Sequence, residues 1–163
     1  MSRIMKSIQN WFDEYAVSHQ NATNKTIHYI CVPLIFFSIV ALLASIPTGS
    51  LFASAPANLQ AYLHFGSLLI LIGLLFYLRL SIPIFIGIAL FSFLCLQGIV
   101  YLKMAPLALW SSSLIIFVLA WIGQFIGHHI EGKKPSFLKD LQFLLIGPAW
   151  ILGFIYRSIG IKY

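Results

Sequence analysis

A-W-I-G-Q-F-I-G-H-H-I-E-G-K-K-P-S, residues Ala120–Ser136, closes a long apolar run with His128, His129 and Glu131, side chains that can bind a metal ion or a proton. The run that leads into it, Leu107–Gly127, has the length and composition to cross a bilayer. If the helix continues through the quoted stretch, Gln124, His128 and Glu131 fall at i, i+4 and i+7 on one face, with Trp121 two turns above His128 on the same stripe. His129 then points about 100° away from that face. Ionisable groups at the end of a span are costly to bury, so the cluster is hydrogen-bonded, metal-bound, or held in headgroup water.

Composition sets the surroundings. Of 163 residues, 60% are hydrophobic and only 9% charged, and the mean hydropathy is +0.94, more than a soluble domain with a solvated surface can carry. The chain reads as a single all-α integral membrane domain over residues 1–163, multi-pass, with no extramembrane segment long enough to fold by itself. A net charge of +6 would suggest nucleic acid in a soluble protein. Here the basic residues flank apolar spans and report topology, so no nucleic-acid partner is expected. Cys31 and Cys95 both lie in apolar runs at different depths and read as packing residues without a disulfide.

From Arg3 to His19 the residues Ile4, Ile8, Trp11, Phe12 and Tyr15 recur at helical spacing, which predicts an amphipathic interfacial helix within residues 1–25, with His19 on its apolar stripe. The polar run that follows breaks this helix, and Asn24 is a candidate N-cap for the next one. Four transmembrane helices are expected within residues 27–127: Ile27–Ile46, Ala61–Leu78, Ile82–Leu102 and Leu107–Gly127. Residues 128–136 then form a site loop. The last segment, 137–160, is broken by Gly147-Pro148 and reads as a C-terminal re-entrant or interfacial hairpin rather than a fifth span.

With four spans, all the basic residues except Lys103 share one side, which makes that side cytoplasmic. His19, His28, His128 and Glu131 then meet at the cytoplasmic face, while His64 lies at the far face and reads as structural. Imidazoles and a carboxylate at one face suit divalent iron or zinc, and two or more His with one carboxylate and open positions suit Fe(II) and dioxygen. The bland alternative is hydrogen bonding to lipid headgroups. Gln124 is a candidate partner for a ligand imidazole, and Trp121 is explained equally well by packing. Gly123 and Gly127 admit a homodimer, but close packing against another span of the same chain is the simpler reading. Lys25, Lys133 and Lys134 could draw in a carboxylate headgroup, although the positive-inside bias alone accounts for them. His129 is an alternative ligand or catalytic group, or it faces water.

Two blocks carry a resemblance. The first is Y-x-x-x-H-x-x-x-x-N-x-x-x-H ending in V-P-L, through Tyr15, His19, Asn24, His28 and Val32–Leu34. The second is Q-F-I-G-H-H-I-E-G-K-K-P, followed by L-L-I-G-P-A-W. Together they resemble the small membrane family of the yeast 2-hydroxy fatty acid dioxygenase, which acts in the breakdown of phytosphingosine to odd-numbered fatty acids. The resemblance implies an Fe(II)-dependent alpha-oxidation in which a long-chain 2-hydroxy fatty acid reacts with dioxygen and loses one carbon. It implies metal ligation by His19, His28 and His128 with Glu131 as the acidic member. Beside it, Glu131 and His129 are read as catalytic candidates, and Tyr15, Asn24 and Gln124 as supports of the ligands. The spacing to Glu131 is one residue shorter than in eukaryotic members, and the short loops point to a bacterial inner-membrane protein rather than one of the endoplasmic reticulum, with room for a different acyl substrate. The rival readings are a non-catalytic metal- or lipid-binding membrane protein and a small transporter. Spans two and three are almost wholly apolar, which counts against the transporter.

Overall fold

A computed structural model describes residues 6–132 and 143–163. Among the described residues every regular element is a helix: α1 (Ile8–Ala16), α2 (Ala22–Ala44), α3 (Ala57–Gln60), α4 (Phe65–Leu80), α5 (Ile82–Lys103), α6 (Leu109–Glu131) and α7 (Ile146–Ser158). Three of them, α2, α5 and α6, are long and apolar enough to cross a membrane. The expected second span is shorter, because residues 61–64 form a turn and α4 starts only at Phe65, leaving 16 residues.

Local chemistry explains the boundaries. Ser7 caps α1 by accepting the Asn10 N–H. The helix stops at Ala16, so His19 sits in the following turn and not on the helical stripe that the sequence predicts. Asn21, not Asn24, caps α2, and its side chain accepts the N–H groups of both Thr23 and Asn24. Asn24 is thereby carried inside the first turn and fully buried. Pro33 is tolerated within α2, which continues to Ala44. Ser81 alone joins α4 to α5 and caps α5 by accepting the Ile84 N–H. Gly132, at φ 69°, closes α6 in the left-handed conformation that glycine adopts without steric cost. His128, His129 and Glu131 therefore lie on the last turn of a helix, where a site loop from residue 128 had been expected.

The most extensive helix contact is α2 against α6, and α4 packs beside α2 and α5. Gly123 and Gly127 make the first contact possible. A Cβ on Gly123 would lie 2.5 Å from Cys31 Sγ, and one on Gly127 would strike Asn24 Oδ1 and come within 3.2 Å of His28 Cε1. The glycine pair thus serves packing within the chain. Cys31 and Cys95 are both free thiols, as expected.

The C-terminal segment departs from expectation. Pro148 does not break a hairpin; it sits in the first turn of α7, where a missing N–H removes no helical hydrogen bond. At 13 residues, α7 is about 20 Å long and too short to span. It docks on α1, α2 and α5, joining Phe12, Tyr15, Tyr77 and Ile84 in one apolar cluster. Tyr77 donates its hydroxyl to the Leu145 carbonyl, and Tyr156 donates to the Pro83 carbonyl at 2.9 Å. Residues 137–142, the first arm of the expected hairpin, lie outside the described residues.

Candidate metal centre

His19, His28 and His128 come together from the α1–α2 turn, the second turn of α2 and the last turn of α6. Each offers one ring nitrogen, and the three nitrogens lie within 4.8 Å of one another. The residues are only 2%, 1% and 3% exposed, which argues against imidazoles that merely meet headgroup water. His19 Nδ1 lies 2.7 Å from the Tyr15 carbonyl oxygen, and His28 Nδ1 lies 3.0 Å from that of Asn24. A carbonyl only accepts, so both Nδ1 atoms carry protons, and in the neutral ring the lone pair is on Nε2. This is how backbone carbonyls fix the tautomer and direction of metal-binding histidines. Three buried imidazoles converging at this distance form a donor set that fits a divalent iron or zinc ion.

Aromatic rings hold His19 in place. Tyr15 stacks on it with centroids 4.1 Å apart and planes within 10°, and Trp150 of α7 lies 5.6 Å away. Tyr15 and Trp150 also pack against each other at 5.3 Å. Tyr15 is therefore a support for His19, in keeping with its place beside the histidine in the first motif block. Trp150 is the residue that sequence reasoning missed. It stands in the L-L-I-G-P-A-W block, but no helical spacing ties it to a histidine more than 100 residues away; only the docking of α7 does so.

Glu131 is not a member of the three-histidine group. Its Oε1 accepts the Gln20 N–H at 2.8 Å, and its Oε2 accepts the Asn21 N–H and the Asn24 side-chain amide, each at 2.9 Å. A carboxylate at a helix C-terminus opposes the helix dipole. Here its charge is met instead by the N-terminal end of the antiparallel α2, where orphan N–H groups favour an anion. Asn24 completes the clamp by also donating to the Ser18 carbonyl at 3.2 Å. The turn that carries His19 is thus tied to the last turn of α6, which carries His128.

The remaining sequence candidates separate. Gln124 is buried one turn before His128 and lines an apolar crevice with Trp121. His129 is exposed and outside the histidine group. Lys25 is partly exposed on the first turn of α2, and Lys133 and Lys134 lie outside the described residues. His64 is far along the chain from the cluster and caps α4, its Nδ1 accepting the Ser67 N–H at 3.1 Å. Burial, helped by the positive charge of Lys103, pushes the His64 pKa down to about 4, so it is a neutral cap.

A family model described as "2-hydroxy-palmitic acid dioxygenase Mpo1-like" matches residues 5–159. The 2-hydroxy-palmitic acid dioxygenase MPO1 of Saccharomyces cerevisiae is 26% identical over 148 residues, covering 90% of this chain and 78% of the yeast protein. No solved structure matches the chain. The matched span takes in His19, His28, His128, Glu131 and Trp150, and the chain belongs to the Mpo1-like family, whose model carries that description.

Proposed function

We propose that the protein is an Fe(II)-dependent dioxygenase that carries out alpha-oxidation of long-chain 2-hydroxy fatty acids, consuming dioxygen and yielding the acid one carbon shorter. The observation that carries this reading is the buried group of His19, His28 and His128 in a chain whose yeast relative is named for its action on 2-hydroxy-palmitic acid. These three residues would hold the iron. Bound there, Fe(II) supplies open positions at which dioxygen and the hydroxy-carboxylate end of the substrate can be activated.

The chain's own contributions are positional. Carbonyls of Tyr15 and Asn24 hold the protons on the Nδ1 atoms of His19 and His28. Tyr15 and Trp150 fix the plane of His19. Glu131 holds the His19 turn against α6, and its role in this reading is positioning rather than ligation. Lys25, with Lys133 and Lys134, would draw the carboxylate toward this end of the bundle. The excess of basic residues at that end argues for its facing the cytoplasm, and the short loops argue for a bacterial inner membrane.

The test is metal content together with product analysis. Purified wild type should bind one iron per chain and convert a long-chain 2-hydroxy fatty acid to the acid one carbon shorter, as read by mass spectrometry. His19→Ala, His28→Ala and His128→Ala should each lose both properties, whereas His64→Ala should keep them. Full iron retention in the His28 and His128 variants would sink the metal site. A folded, iron-loaded protein that shortens no 2-hydroxy acid of any length would sink the reaction.

A further inference from the structure

We propose that the groove between α1 and α4 seats a phospholipid with an anionic headgroup, which ties the N-terminal helix to the bundle. The groove has a volume of about 400 Å³ and is lined by Lys6, just before α1, by Trp11 within it, and by Leu75, Phe76, Arg79 and Leu80 from the end of α4. While α1 docks on α7, toward α4 its Trp11 meets Phe76 edge-on, with ring centroids 6.5 Å apart. Both rings line the groove, so an occupant there touches α1 and α4 at once.

Charge selects the occupant. Two cations from separate elements, Lys6 and Arg79, line the groove. The Lys6 ammonium lies 3.9 Å over the Trp11 ring and pairs with Glu14. An ammonium has three donors and a guanidinium five, so one carboxylate partner exhausts neither. Lys6 immediately precedes Ser7, the N-cap of α1, whose first turn carries no acidic residue, so the positive end of the helix dipole adds to the cations. From Arg79 an apolar stripe continues along α4 through Leu75, Ile72, Leu71 and Leu68, at steps of three and four, each more than half exposed. A phosphate with apolar chains matches this order of cations and stripe. Chains of the surrounding bilayer are as apolar as the stripe and give no preference. The preference therefore comes from the headgroup, to which both cations can donate charge-assisted hydrogen bonds. No histidine lines the groove among the described residues, so an acid whose carboxylate met these cations would sit apart from the histidine group. The occupant is thus a lipid of the bilayer rather than the fatty acid. It steadies the helix whose Tyr15 stacks on His19, and the contact requires neither metal nor turnover.

The test reads Trp11 fluorescence in phosphatidylcholine vesicles. Wild type and Trp11→Phe are each titrated with a lipid brominated near the top of its chains, either phosphatidylglycerol or phosphatidylcholine, and the difference between the proteins isolates Trp11. The anionic lipid should quench Trp11 at a roughly 5- to 30-fold lower mole fraction than the zwitterionic one, the preference that one or two basic residues at a membrane surface supply. The double variant Lys6→Gln, Arg79→Gln should lose this preference, and Lys6→Arg, Arg79→Lys, which keeps both charges, should retain it. Equal quenching by the two lipids in wild type overturns the assignment. So does a preference that survives loss of both charges, or one that is lost while both are kept. Displacement of the brominated phosphatidylglycerol by an equal mole fraction of free fatty acid would give the groove to the acid and overturn the phospholipid as its occupant.

Discussion

Glu131 illustrates how a shared helix face differs from a shared site. Its i+3 spacing from His128 is read directly from the sequence, and that spacing makes it an obvious fourth ligand. Three of its roughly four acceptor positions are taken by Gln20, Asn21 and Asn24. The decisive partners are backbone N–H groups 111 and 110 residues away, which no local pattern could disclose. A positioning role makes a prediction that a ligand role does not. Glu131→Gln keeps one acceptor oxygen for the turn and should bind iron within a few-fold of wild type, whereas Glu131→Ala releases the turn and should weaken iron binding by about 10- to 100-fold, the usual cost of losing a group that orients a ligand. Metal titration of the two variants checks this; equal and complete loss of iron in both would restore Glu131 to the ligand set. The meeting of His19, His28 and His128 was legible in the topology expected from the basic residues, which puts the start of the first span and the end of the fourth at one face. Asn24 was misread because Asn21, three residues earlier, caps α2 instead, and the neighbouring polar residues offer several equally good caps.

At the scale of the element, the site exists because α2 and α6 approach closely at Gly123 and Gly127. Gly123 faces Cys31 Sγ, so Gly123→Ala should destabilise the protein by roughly 1–3 kcal/mol through overpacking. Cys31→Ala removes the sulfur, and the nearest Cys31 atom left is the Cβ at 3.9 Å. The double variant should therefore recover most of the loss in a double-mutant cycle of thermal or denaturant unfolding; additive losses would show that the glycine is not there to admit the thiol. Gly127→Ala presses on Asn24 and His28 instead, and should lower iron occupancy more than its effect on stability alone would suggest. The G-x-x-x-G spacing announced close packing but not the partner. The Gly147-Pro148 pair misled for a related reason: Pro ends a helix only from its interior, and the sequence does not say on which side of the pair the helix lies. In the structure the helix begins there.

For the whole molecule, the existence of apolar spans was legible from run length alone, whereas the docking of α1 and α7 over the histidine end depends on contacts between distant segments. Parity makes a prediction about the span count. His28 stands near the start of α2 and His128 near the end of α6, yet their rings lie 5.0 Å apart, so α2 runs away from the site and α6 returns to it. The helices between them must therefore cross in opposite senses or not at all. With its 22 residues α5 is long enough to cross; if it does, parity predicts that the 16-residue α4 crosses too. At about 24 Å it is shorter than a typical hydrocarbon core of about 30 Å. The difference can be met by local thinning of the bilayer at modest cost. Four spans are thus predicted, with residues 50–60 on the side opposite α1, α7 and the histidines. Because Cys31 and Cys95 are the chain's only cysteines, replacing both by Ala gives a background in which Ser54→Cys and Lys162→Cys, at exposed positions, can be labelled singly in intact cells. A membrane-impermeant maleimide should reach residue 54 from outside, and should reach residue 162 only after permeabilisation. Labelling of both positions from the same side would break the parity, and with it the passage of α4 through the membrane.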